Sequence, residues 1–296
     1  MKNTLDPKPY RVNGKAPFKI QKATTGLQKH LYKNAADLKA QLSAYQDAID
    51  ELQQKMYAQD RHAMLVIFQA MDAAGKDGTL RHVMNGINPC GVEIYTFKRP
   101  SDEELDHDFL WRCAKVTPQR GRIGIFNRSY YEEVLVCKVH PEIITKYQRL
   151  PAKATRKMDR LWKNRYKDIA NYESFLERNG TKVVKFFLHV SKEEQKKRFI
   201  ERIDTPSKNW KFNVDDVKER AHWDKYMSAY QDAINATATP DAPWYVVPAD
   251  DKGDMRLIVS AAILQHLQSL HLKWPVLPAE QTAALAGAKA SLLAES

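Results

Sequence analysis

The sequence predicts an α/β fold: a parallel sheet of five strands, doubly wound, with helices on both faces. Three observations carry this. Short apolar runs rich in β-branched and aromatic residues recur at 64–70 (MLVIFQA), 91–97, 121–126, 182–190 and 243–247. Stretches with helical spacing separate them, the alternation that builds a parallel sheet buried on both sides. With 296 residues, 43% hydrophobic and 28% charged, the chain is long enough to bury such a sheet as one large domain.

The elements follow in order. Between residues 36 and 60, Leu38, Leu42, Tyr45, Ile49, Leu52 and Met56 recur at spacings of four and three. They predict a long amphipathic helix packed on the core or on a second subunit. After the first strand, Leu80, Val83, Met84 and Ile87 predict another helix. Ser101 with Glu104, and Ser191 with Glu194, have the spacing of capping boxes and open two more. Residues 202–220 show no period and mix bases with Trp210 and Phe212; they predict a mobile lid or a plain surface loop. The expected layout is a tail and helix over 1–61, a core domain over 62–275 with its lid at about 198–221, and an Ala-rich tail over 276–296.

Charge narrows the function. The net charge is +11, and between Arg112 and Lys167 fifteen Lys or Arg stand against four acids, which accounts for the whole excess. Such a segment is either a solvated basic surface or the seat of a polyanion, whether nucleic acid, anionic lipid or inorganic polyphosphate. No apolar run approaches the ~20 residues of a membrane span. The first residues lack the apolar middle of a signal peptide, and Cys90, Cys113 and Cys137 show neither paired nor metal-ligating spacing. A cytoplasmic chain with reduced thiols is expected.

The chemistry concentrates at MDAAGKDGT, 71–79, between the first strand and a helix. The P-loop pattern G-x-x-x-x-G-K-[ST] would need Gly at 70 and Ser or Thr at 77, where Ala70 and Asp77 stand. Small Ala73, Ala74 and Gly75 nevertheless let backbone amides approach phosphate oxygens, and Lys76 adds a full charge. The loop runs on through Asp77, Gly78 and Thr79; Thr79 would replace the missing hydroxyl if the helix began late. Asp72, an acid among phosphate-binding amides, is either a helix N-cap or a ligand for a cation that bridges it to the phosphate. Where P-loop enzymes place an acid at a neighbouring strand tip, Asn127 stands, followed by Arg128, a candidate clamp on a transferring phosphoryl group. Glu132 and Glu133 either bind metal or acceptor or merely offset the bases around them. His107 lies between Asp106 and Asp108, but adjacent helical residues point about 100° apart and do not converge on a metal. An ATP-dependent nucleoside monophosphate kinase and a basic nucleic-acid-binding module are the alternatives these residues leave open.

Taken in order, MDAAGKDGT, LDHDFLWR, FNRSYYEEVLV, the block from FLHVSKEEQKKRFIERIDTPSKNWKF and APWYVVPADDK resemble the polyphosphate kinase 2 family over about residues 15–272. The likeness is to its polyphosphate:AMP/ADP phosphotransferase branch, class III. It implies a three-layer P-loop kinase-like fold with a helical lid, and Mg²⁺-dependent, reversible transfer of the terminal phosphate of inorganic polyphosphate to AMP and ADP, giving ADP and ATP. Mn²⁺ would substitute for Mg²⁺. Asp72, Lys76 and Arg128 would be catalytic, and Asp72, Asn127 and Glu132 the metal-site positions. An acid at 132 goes with acceptance of monophosphates. Lys76, Arg81, Arg112, Lys115, Arg122, Arg128, Lys138 and His140 would hold polyphosphate. Glu132, Arg198, Arg202, Lys208, Trp210, Lys211 and Asp215 would serve the nucleotide and lid. A homo-oligomer, dimer or tetramer, with neither nucleic-acid nor membrane partner, completes the expectation.

Overall fold

The computed structural model describes residues 5–295. Its core is a six-stranded sheet made of β1 (Arg11–Val12), β2 (Ala63–Ala70), β3 (Val92–Thr96), β4 (Ile123–Asn127), β5 (Thr181–His189) and β6 (Trp244–Pro248), ordered β1-β6-β5-β2-β4-β3. The last five are the strands read from the apolar runs and are parallel, with Val66 of β2 level with Ile125 of β4 and Val184 of β5. The sixth is a correction to the expected five. Arg11 and Val12 pair antiparallel with Tyr245 and Trp244, and two residues are too few to show a period. Every residue of β2 is buried, as a central strand covered on both faces requires.

The helices follow in chain order. The first is α1 (Ala35–Gln59), with α2 (Lys76–Val83), α3 (Asp102–Asp106) and α4 (Trp111–Ala114) after it. Asn34 caps α1 by accepting from the Asp37 amide, and the buried stripe is Leu42, Tyr45, Ile49, Gln53 and Met56. The box at Ser101 and Glu104 forms in full at α3. Beyond β4 come α5 (Val136–Val139), α6 (Glu142–Tyr147), α7 (Ala152–Thr155) and α8 (Met158–Arg178). Beyond β5 come α9 (Lys192–Asp204), α10 (Val214–Glu219) and α11 (Trp223–Thr237), and beyond β6 α12 (Lys252–Ser269) and α13 (Ala279–Ala294). One layer contains α1, α2 and α12; α8 and α11 pack together in the other. No residue of α13 is buried.

One internal feature bears on the site. Lys185 of β5 is fully buried and paired with Glu173 of α8, whose other carboxylate oxygen accepts from the hydroxyls of Tyr130 (3.0 Å) and Tyr131 (2.8 Å). The Lys185 ammonium also donates to the Thr237 carbonyl at 2.8 Å. A charge taken out of water persists only when so paired. This pair fixes the two tyrosines that follow the tip of β4.

Candidate active site

At its carboxyl edge β2 is flanked by β4 on one side and β5 on the other, the crevice where open α/β sheets receive ligands. Here the chain turns through 71–75 into α2. Ala73 adopts a left-handed backbone (φ 60°), and so does Gly75, the N-cap of α2 (φ 105°). A side chain at 75 would be strained and would place its Cβ 3.3 Å from the Met255 methyl, so glycine is required.

The loop is bolted from behind. The buried guanidinium of Arg198 donates to the carbonyls of Ala73 (3.2 Å), Ala74 (2.8 Å), Ala249 (2.7 Å) and Asp250 (2.9 Å), while its Nε donates to Glu194 (2.9 Å). Gln195 Nε2 donates to the Asp72 carbonyl at 2.8 Å. These loop carbonyls are thereby tied back and the Ala74 amide donates to the Met71 carbonyl at 3.3 Å, while residues 72–78 line the cleft, a short small-residue turn ahead of a helix of the kind that suits anions.

Lys76 opens α2 and donates to the Ala70 carbonyl at 3.0 Å. Burial pushes its pKa down, against the pull of Asp72. Arg128 follows β4 with φ 65°, a conformation rarely kept by a side-chain-bearing residue unless its surroundings impose it. Its amide donates to the Phe68 carbonyl (3.0 Å) and its guanidinium reaches Asp72 Oδ1 (2.9 Å). The irregular loop residue and the irregular strand tip also meet: the Asn127 amide donates to Asp77 Oδ1 at 2.8 Å. A carboxylate at the strand tip would have faced Asp77 as a like charge; the amide bonds it instead.

Glu132 lies behind this group. In the amide orientation that satisfies all partners, Gln69 donates to Glu132 Oε1 (2.8 Å) and accepts from the Ser129 amide and hydroxyl (3.1 Å each). Burial pushes the Glu132 carboxyl up, and Arg128 and Lys76 pull it back.

Opposite the loop, the end of α9, the 3-10 turn Pro206–Lys211 and α10 form the lid wall. Arg202, Lys208, Trp210 and Lys211 line it, with Lys208 on Glu201 at 2.6 Å and the Lys211 ammonium 4.9 Å from the Trp210 ring. Trp210 is 78% exposed, an open aromatic face on the cleft. The cleft volume is about 650 Å³, and nine Lys or Arg side chains line it against four carboxylates.

Several expected positions are corrected. Asp215 turns outward to Lys218 (2.7 Å), and its neighbour Asp216 lines the cleft instead; burial and Asp72 push the Asp216 carboxyl up to about 6. The Thr79 hydroxyl is buried and donates to the Gly75 carbonyl (3.0 Å), so it is consumed by its own helix. Arg198 lines the cleft, but its guanidinium is spent on Glu194 and on the carbonyls of the loop and of the turn before α12. Arg81 is exposed on α2, outside the cleft lining. Of the polyphosphate candidates between 112 and 140, only Arg128 lines the cleft, because the others are already engaged. Arg112 is buried on the Lys98 carbonyl (2.8 Å), facing Glu104 and Glu133; Lys115 stacks on Trp111 at 4.0 Å. Arg122 precedes β4, at the far end of the sheet, bound to Glu93 at 2.8 Å. Lys138 pairs with Asp232 (2.6 Å), and His140 sits between Glu142 (3.3 Å) and Glu219 (2.9 Å).

Sequence reasoning missed Lys98, Lys252 and Arg256, which line the cleft from an edge strand's end and from α12. The start of α12 is fixed by a strap in which the Leu31 amide and His30 Nδ1 both reach the buried Asp254 carboxylate at 2.8 Å. His30, Asp251 and Asp254 have metal-ligand proximity, but these bonds and Tyr32 on Asp251 account for their oxygens. Among the described residues no helix is long and apolar enough to cross a membrane.

Comparison with known proteins agrees with this geometry. The sequence model of the polyphosphate kinase 2 family matches residues 32–274. An ADP-polyphosphate phosphotransferase of Rhodopseudomonas palustris is 54% identical over 77% of this chain and 78% of its own length. An AMP/ADP-polyphosphate phosphotransferase of Meiothermus ruber is 41% identical over 77% of this chain and 80% of its own. The crystal structure of polyphosphate kinase 2 from Arthrobacter aurescens TC1 superposes with a TM-score of 0.83 at 39% identity, covering 96% of this chain and 97% of that one.

Proposed function

This chain belongs to the polyphosphate kinase 2 family, and from that premise we propose that it moves the terminal phosphate of inorganic polyphosphate to AMP and ADP, giving ADP and ATP, reversibly. The observation that carries the reading is the cleft: a small-residue loop opening a helix, with Lys76 and Arg128 beside it, in a cavity where cations outnumber carboxylates nine to four. Phosphoryl transfer asks for positioning and charge stabilisation, with little covalent chemistry from the protein. The loop amides and Lys76 hold the donor phosphates. Arg128, tied to Asp72, is placed to span donor and acceptor, and the lid cations with Trp210 cover the nucleotide.

The oxygen donors at the mouth suit Mg²⁺, which takes few carboxylates and fills its remaining positions with phosphate and water. Asp72 and the free amide oxygen of Asn127 would hold it, with Mn²⁺ as a substitute, and Glu132 stands behind them on the acceptor side. When bound, the ion neutralises charge between reacting phosphates. The acid at Glu132 goes with acceptance of AMP. The chain works as a cytoplasmic homo-oligomer, dimer or tetramer, with neither nucleic acid nor membrane as partner. Exposed apolar side chains such as Phe175 and Ile94 support association.

Incubation with AMP or ADP, Mg²⁺ and polyphosphate, followed by nucleotide separation, is expected to yield ADP and ATP. Absence of both products overturns the assignment. Turnover with ATP as the sole competent donor would make the chain a conventional nucleoside monophosphate kinase, a reading disfavoured by Ala70 and Asp77 in its loop.

A further inference from the structure

Resting on that reading, we propose that the exposed basic surface formed by α6, α7 and the start of α8 is a second polyphosphate site, a track that holds the part of the chain protruding from the cleft. Most cations between Arg112 and His140 are engaged by carboxylates, carbonyls or rings. Further along, Arg149 pairs with Asp106 and buried Arg165 with Glu133, but six other cations are different. Lys146, Lys153, Arg156, Lys157, Arg160 and Lys163 are all exposed, and among the described residues none makes a side-chain ion pair or hydrogen bond. Asp159 is the one acid between residues 146 and 167.

Position connects this surface to the cleft. The 21 residues of α8 run back along the sheet before the nine of β5, and both span roughly 30 Å. The start of α8 therefore lies at the carboxyl edge of the strands, the edge that carries the phosphate loop. A cationic path leads there. Lys98 lines the cleft, the next residue Arg99 lies 5.3 Å from the Tyr147 ring, and Lys146 adjoins it. At its far end Lys157, Arg160 and Lys163, with Met158 and the one acid Asp159, border a shallow hollow of about 500 Å³.

Like charges that share one hollow, as Lys157, Arg160 and Lys163 do, repel one another, and a polyanion relieves that repulsion while releasing its own counterions. A linear anion long enough to occupy cleft and track together gains from the effective concentration of its second segment; a short one reaches the cleft alone. Nucleic acid fits less well, because among the described residues Tyr147 is the single exposed large aromatic on the path, and successive bases would need a series of such rings.

The test is the combined variant Lys153→Ser, Lys157→Ser, Arg160→Ser, Lys163→Ser in the full chain, assayed with long-chain polyphosphate and with tetraphosphate. KM for the long chain is expected to rise roughly tenfold and its salt dependence to become shallower, with tetraphosphate kinetics unchanged. An unchanged long-chain KM overturns the track, as does an equal rise for both donors. So does a variant that loses only the binding of labelled duplex DNA. If the fourfold variant melts early, Lys157→Glu with Lys163→Glu is read in the same way. Wild-type protein inactive on both donors would sink the assigned function itself, a result distinct from any of these.

Discussion

Replacing Arg198 by Met tests how the phosphate loop is held. Methionine keeps much of the side-chain volume and removes the guanidinium, which is 5% exposed and donates to four backbone carbonyls, two in the loop and two in the turn before α12. A hydrogen bond contributes about 1 kcal/mol net, and more from a charged donor, so four amount to about 4 kcal/mol. In a domain of this size each kcal/mol moves Tm by about 2 °C, giving an expected fall of about 8 °C. Because the bolt joins the loop to the segment that presents Lys252 and Arg256, kcat/KM for polyphosphate is expected to drop about a hundredfold, on the scale of a misplaced catalytic group. Arg198→Lys should recover little of either, since an ammonium cannot reach four carbonyls. Thermal melting and steady-state kinetics on both variants supply the readout. A methionine variant that melts within 2 °C of wild type (under about 1 kcal/mol) and turns over normally would refute the reasoning.

Other outcomes follow from the same site. Lys76→Ala should lose roughly 10²–10³-fold in kcat, the scale of a removed charge stabiliser, while its melting temperature holds; near-normal turnover would remove its assigned role. Asp72→Asn should weaken the Mg²⁺ dependence of the reaction along with its rate, seen in a metal titration; a wild-type titration curve would count against Asp72 as a ligand. Glu132→Asn should depress AMP use more than ADP use, and equal losses would break that link. Asp216→Asn should stabilise the protein as pH rises. The Asp216 carboxyl titrates at about 6 when folded and near 4 when unfolded, so the folded form holds the extra proton and wild-type stability falls across that window. The group is partly exposed, which limits the gain to about 1 kcal/mol above pH 6; a variant tracking wild type at every pH would contradict it.

The sheet was legible because its strands are buried on both faces and therefore appear as unbroken apolar runs. β1 was invisible, being two residues held by pairing alone. At the site, the loop was readable from small residues between a strand and a helix, and Asp72 and Arg128 from their places beside it. Lys98, Lys252 and Arg256 were not, because each stands alone in an unrelated element and only folding brings them to one cavity. Asp215 and Asp216 are adjacent acids about 100° apart on a helix, and the register that turns one inward is set by contacts distant in sequence. The basic segment misled about the cleft for a related reason: composition counts charges, and the fold had already partnered most of those near the site.

The enclosed Lys185–Glu173 pair has a consequence for how this protein can change. Altering either member alone strands the other without counter-ion or water, at a cost of about 3–5 kcal/mol, whereas joint exchange for apolar residues of similar size is often neutral. The two codons therefore share one fate. A library that varies positions singly would score both as immutable, and only one that varies them in concert would find the exit, at the moment when the two tyrosine hydroxyls also acquire new partners.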